Sequence, residues 1–194
     1  MKMYKIIALM GEAGAGKDTI FQSVLRHFEN DERVHEIISC TSRPIRENET
    51  NGKNYHFYTA SQFSDKIMSG QMFEYTTFNN WWYGTSNDSI KKGDVINIGV
   101  FNPDGVRQLL GRSDCAVTVY HIKASDKNRL MRQLTREYNP NVDEILRRFT
   151  ADRADFQKLP FDAIELPNDS LEDFNEAIAH VVSQVQAALT QGQN

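Results

Sequence analysis

Residues 11–19, Gly11-Glu12-Ala13-Gly14-Ala15-Gly16-Lys17-Asp18-Thr19, decide how the rest of the chain is read. They follow an apolar run, Met3-Tyr4-Lys5-Ile6-Ile7-Ala8-Leu9, and precede Ile20, Phe21, Val24, Leu25 and Phe28, whose spacing is that of one helix face. A strand, a loop of small residues and a helix opening near Lys17 form the setting of a phosphate-binding P-loop. Small residues let successive backbone N–H groups turn toward a phosphate, the helix start adds partial positive charge, and Lys17 reaches the outer phosphates. Gly11, Gly14, Ala15, Gly16, Lys17, Asp18 and Thr19 are the expected phosphate-binding residues. The loop departs from the usual pattern at Asp18, where Ser or Thr ordinarily ligates Mg2+; Thr19 supplies a hydroxyl one position late.

Beyond this loop, short apolar runs alternate with segments of helical period, the pattern of a parallel sheet with crossover helices. Five runs are expected as core strands, at 3–9, 34–40, 94–100, 116–122 and 162–166. Thr59-Ala60-Ser61-Gln62 reads as a capping box ahead of Phe63, Ile67 and Met68. Ser125 is placed to cap a helix carrying Leu130, Met131 and Leu134, a further helix begins near Asn141, and Ser170 opens a last one. The expected fold is therefore α/β, a five-stranded mostly parallel core sheet with helices on both faces, in a single domain. No linker or internal repeat divides the 194 residues.

The composition excludes several classes of function. Net charge is −4, and the pI near 5.7 gives no general attraction to nucleic acid or anionic membrane, so phosphate binding must come from local clusters. Trp81-Trp82-Tyr83 has no basic groove beside it, and no nucleic-acid partner is expected. No apolar stretch approaches the roughly 20 residues that span a bilayer, and the basic, then apolar, start lacks a cleavage signature. No membrane partner and a cytoplasmic location are expected. Cys40 and Cys115 sit in strand-like runs and form no disulfide framework, and the five histidines show no zinc-ligand spacing. Nothing in the composition sets an oligomeric state.

After the second apolar run, Arg43 and Arg46 stand three apart and are able to converge on one phosphate, although such a pair is also common in solvated loops. A carboxylate and aromatics follow in Phe73-Glu74-Tyr75 and Trp81-Trp82-Tyr83-Gly84-Thr85-Ser86. Taken in order, GEAGAGKDT (11–19), TSRPIRENETNGKNYHF (41–57), GQMFEYTTFNNWWYGTS (70–86) and FDAIELPND (161–169) resemble motifs of the guanylate kinase family, which transfers a phosphoryl group from ATP to GMP. The resemblance covers most of the chain. It implies a P-loop kinase with core 1–40, 92–124 and 158–194, a small NMP-binding region at 41–91 and a helical lid at 125–157.

The resemblance further implies that Ser39, Arg43, Arg46, Tyr55, Glu74, Tyr83 and Thr85 bind GMP, with Arg43, Arg46, Tyr55 and Tyr83 on its phosphate. Glu74 suits guanine because one carboxylate accepts from N1–H and the exocyclic amine together, whereas adenine has no N1–H. Among the late arginines it favours Arg136 and Arg148, alongside Lys17, as catalytic, and it places Asn168 and Asp169 in an adenine-side loop. Mg2+ is expected with ATP. Relatives carry two aspartates, two apart, at a strand end where this chain shows Asn97 and Gly99. Asp18 and Asp104 are the candidates to restore a metal-shell carboxylate, although Pro103-Asp104-Gly105 also reads as an ordinary turn. Two other readings stand beside GMP phosphorylation: a broader deoxynucleoside monophosphate kinase, and a non-catalytic module of the same fold that binds a protein partner.

Overall fold

Strand β1 (Tyr4–Met10) is buried over its last five residues because it lies at the centre of a parallel sheet and is covered on both faces. The computed structural model describes residues 3–47, 49–78, 80–136 and 138–191. In it β1 pairs on one side with β7 (Ile96–Val100) and on the other with β8 (Cys115–Lys123); β2 (Val34–Glu36) and β9 (Ile164–Pro167) complete the order β2-β7-β1-β8-β9. Every pairing is parallel. The alternation along β1 then sorts its side chains. Ile7 and Leu9 face helices α1 (Lys17–His27) and α6 (Leu171–Gln191) with Ile20, Val24, Val181 and Val185. Ile6, Ala8 and Met10 face α3 (Pro103–Leu110) through Val106 and Leu109.

A second sheet carries the segment between β2 and β7. It comprises β3 (Cys40–Thr41), β4 (His56–Phe57), β5 (Met72–Phe78) and β6 (Trp81–Ser86) in the order β4-β3-β6-β5, with only β3 and β4 parallel. Helix α2 (Ala60–Met68) joins this layer, and Thr59 and Gln62 form the expected reciprocal capping box. The expected strand at 34–40 is therefore two. Ile37 N still donates to Ile98 O at 2.8 Å, but Cys40 already pairs with His56 and Gly84 in the other sheet. A strand-like run with no turn residue in it looks the same whether it stays in one sheet or crosses between two.

After β8 come α4 (Asp126–Thr135), capped by the Ser125 hydroxyl, and α5 (Val142–Phe156), capped by Asn141. Among the described residues no helix is long and apolar enough to cross a membrane. The turns after β1, β7, β8 and β9 leave the same carboxyl edge of the parallel sheet, the edge at which open α/β sheets bind ligands.

Candidate active site

The loop after β1 is held from outside by its carbonyls. Ala13 O accepts from Arg129 Nε at 3.2 Å, Gly14 O and Ala15 O each accept from Arg132 at 3.2 Å, and Asn168 Nδ2 donates to Ala15 O at 2.7 Å. Gly16 is obligatory here, with φ of 92° and Asn168 Nδ2 only 2.2 Å from where a Cβ would lie. With the carbonyls so engaged, the amides of Gly14, Gly16, Lys17 and Asp18 donate to no acceptor among the described residues. Four such donors and Lys17 at the start of α1 form an anion cradle. Asp18 stands exposed beside it, 3.5 Å from Lys17 Nζ.

Behind the loop is a buried polar network. Arg129, with a side chain only 2% exposed, pairs with Glu12, Asp126 and Asp152, and Glu12 also meets His121 Nε2 at 3.2 Å. Burial by itself raises the Glu12 carboxyl, but the hydrogen bond with His121 and the charge of Arg129 hold it below the usual carboxylate range.

The second sheet presents another polar surface. Arg43 is buried, and its position is set by Thr41, whose hydroxyl accepts from Arg43 N at 3.1 Å and donates to Trp82 O at 3.0 Å. Its guanidinium donates to Glu49 and Pro44 O, each at 2.7 Å, and packs against Tyr55 and Phe57. Loss of solvent around Arg46, then the positive charges of Arg43 and Arg148, pull that guanidinium below its ordinary value, so three arginines share one field. Burial pushes the Tyr55 phenol up to about 12, with the negative charge of Asp18 adding to the shift. Tyr83 stands edge-on to Tyr55, with 6.2 Å between ring centroids.

Glu74 is 4% exposed, and burial raises its carboxyl to about 7 against the opposing pull of Thr85. The Thr85 hydroxyl is itself fully buried and lacks a hydrogen-bond partner of good geometry. A buried carboxyl and an open hydroxyl side by side call for a polar ligand. Ser39 lies in the chain leading into β3, its carbonyl accepting from His56 N.

Several expected positions lie elsewhere. Asn97 is fully buried at the start of β7: Oδ1 accepts from Lys91 N at 2.8 Å, while Nδ2 donates to Lys91 O at 2.7 Å and Lys5 O at 3.1 Å. A Cβ on Gly99 would meet Phe101 and Ile37 at about 3 Å, so that position is sealed in the core. Neither is part of the pocket. The residue against Glu74 is Gly105: a Cβ there would lie 2.9 Å from Glu74 Oε2, and 3.2 Å from Asn102 Oδ1 on its other side. Pro103-Asp104-Gly105 is the first turn of α3 and not a loop turn, with Asn102 capping Gly105 N at 2.8 Å and Pro103 at the start. The Asn102-Pro103 pair was the sequence signal for that helix start.

Asp104 is exposed and bonded to Arg107 at 3.0 Å. Among the described residues no three metal-capable side chains come together. Arg148 is bonded to Glu144 at 2.8 Å, and Arg136 ends α4 exposed. Asp169 accepts from Ser125 N, Ser125 Oγ and Asn128, so both members of the expected adenine-side pair have their side chains in structural bonds. Arg129, Arg132 and Asn102 are the residues sequence reading did not place; for the two arginines no local pattern marks which helix face meets the P-loop.

The family model described as guanylate kinase matches residues 3–185. Among curated relatives, the guanylate kinase of Thermotoga maritima is 28% identical over 198 residues, covering 98% of this chain and 91% of its own. That of Mesomycoplasma hyopneumoniae strain J is 28% identical over 95% of this chain and 96% of its own. The pig, Sus scrofa, guanylate kinase is 29% identical over 93% and 95%. Among solved structures, the guanylate kinase from Anaplasma phagocytophilum superposes with a TM-score of 0.68 at 16% identity, covering 96% of this chain and 87% of that one.

Proposed function

Because this chain belongs to the guanylate kinase family, we propose that it transfers the terminal phosphoryl group of ATP to GMP or dGMP, giving ADP and the nucleoside diphosphate. The observation that carries the reading is the buried Glu74–Thr85 pair, in the sheet whose β3 leads into Arg43, together with a P-loop in which four amides have no partner among the described residues. The carboxylate accepts the two adjacent donors of guanine, and Thr85 and Ser39 complete the base seat. Arg43, Arg46, Tyr55 and Tyr83 take the acceptor phosphate, which displaces Glu49 from Arg43 by offering the same anionic fork.

An oxygen of that phosphate attacks the γ-phosphorus in line as the bond to the β,γ-bridging oxygen breaks, and no general base is required. Lys17 neutralises charge on the donor phosphates. Arg148 and Arg136, on the helix pair that braces the P-loop, neutralise charge on the moving group, Arg148 leaving Glu144 to do so. Gly11, Gly14, Ala15, Gly16, Asp18 and Thr19 shape the donor loop, flanked by Asn168 and Asp169 on the adenine side.

Mg2+ arriving with ATP would need only one or two carboxylates from the protein. Asp18, exposed at the cradle beside Lys17, would supply such a carboxylate, and Asp104, exposed and paired with Arg107, is the second candidate. The ion would neutralise charge between the donor phosphates.

The test is ADP release from ATP with GMP, dGMP, AMP, dAMP, CMP and dTMP in turn. Guanine nucleotides are expected to react fastest. Similar rates across the panel would instead make the protein a broader monophosphate kinase, and no release with any acceptor would leave a protein-binding module.

A further inference from the structure

The donor reading accounts for the P-loop from Gly14 onward and leaves Ala13 unexplained. Both backbone polar groups of Ala13 are taken by the α4–α5 pair. Its N–H donates to Asp152 Oδ2 on α5 at 2.6 Å, and its carbonyl accepts from Arg129 Nε at 3.2 Å and Gln133 Nε2 at 3.4 Å on α4. The same Asp152 oxygen lies 3.4 Å from Arg129, and the Asp152 side chain is 13% exposed. Asp152 is not needed merely to neutralise Arg129, which also pairs with Glu12 and Asp126. Its shortest contact is the loop amide.

That contact acts on a glycine-rich segment. Gly14 and Gly16, both at positive φ, give the loop wide backbone freedom, and any freedom removed before the ligand arrives is not lost on binding. A charged acceptor on the first amide fixes where the next four unpartnered amides begin. We propose that Asp152 is a positioning residue for the donor nucleotide, reaching from α5 to fix the Ala13 peptide so that the amides of Gly14, Gly16, Lys17 and Asp18 are presented together. The proposal rests on reading this loop as the ATP site.

Titration calorimetry of the full chain with ATP alone and with GMP alone, together with amide exchange at Ala13 followed by NMR, tests it on Asp152→Ala, Asp152→Asn and Asp152→Glu. Asp152→Ala is expected to raise the Kd for ATP about tenfold, the loss of one charge-assisted hydrogen bond, and to leave that for GMP within about twofold. The Ala13 amide, protected in the unsubstituted protein, should exchange freely in this variant. Asp152→Asn, whose carbonyl oxygen accepts the same N–H, should recover most of the ATP affinity. Asp152→Glu keeps the charge but moves it by a methylene, and should lose ATP affinity severalfold even if the alanine variant does not fold. Unchanged ATP binding in the alanine and glutamate variants, equal losses for ATP and GMP, or an asparagine variant no better than alanine would each overturn the proposal. If the unsubstituted protein binds no ATP, the reading of the loop itself falls, and the proposal with it.

Discussion

Glu74 shows how one side chain ties recognition to stability. Its carboxyl is raised to about 7 from an ordinary 4.5 by burial, so between those values the folded protein holds a proton that the unfolded chain releases. The stability this proton contributes is full below about pH 4.5 and is lost as pH rises through about 7. Glu74→Gln is therefore expected to be more stable than the parent at about pH 8, by roughly 1–3 kcal/mol in denaturant titration. The same variant should lose guanine preference, measured as kcat/KM for GMP against AMP. With the parent, KM for GMP should rise as pH falls below about 7. The glutamine variant, exposed to the same titration of the GMP phosphate, serves as the control. Arg43→Ala should weaken GMP binding by about 1.5–3 kcal/mol and leave ATP binding unchanged in calorimetry, since its guanidinium lies just beyond β3, bonded to Glu49 and not to the P-loop. Lys17→Ala should lower turnover by roughly a hundredfold or more with the fold intact by circular dichroism. Turnover at the parent rate would remove Lys17 from the transfer step.

Among the elements, β7 holds Asn97, where the sequence reading looked for an aspartate. Writing an aspartate at Asn97 would put an oxygen where Nδ2 now donates to the carbonyls of Lys5 and Lys91, in a site closed to water. Asn97→Asp should destabilise the protein by about 3 kcal/mol in equilibrium unfolding, and should not improve turnover at any Mg2+ concentration. Asn97 serves β7 by pinning the preceding loop; the acceptor pocket is built one turn further on, where Asn102 caps α3 and Gly105 leaves room for Glu74. The helix pair α4 and α5 divides its arginines in the same way: Arg129 and Arg132 brace the P-loop, whereas Arg148 adds its charge to the field around Arg46. All of them read alike in the sequence, as basic residues at helical spacing.

Across the whole molecule, the proposed reaction joins a parallel sheet that carries the donor loop to a mainly antiparallel one that carries the acceptor residues. A ligand spanning adenosine and guanosine through five phosphates should raise the melting temperature more than ATP or GMP alone at equal concentration, since it engages both sheets. Ligand at a hundred times its Kd adds about 2.7 kcal/mol; a shift no larger than that with ATP would put the acceptor pocket outside this reading. The sequence determined the strand–loop–helix around Lys17, the caps at Thr59 and Ser125, the helix start near Asn141 and the order of the motifs, because glycine conformation, capping and side-chain period act over a few residues. Tertiary structure decided that Cys40 leaves the core sheet, that Asn97 is a buried clasp, that Gly105 meets Glu74, and which arginines reach the P-loop. The bond from Ala13 to Asp152 crosses 139 residues. Nothing local to either residue selects the other; only the packing of α4 and α5 against the carboxyl edge of the sheet brings that carboxylate to that amide.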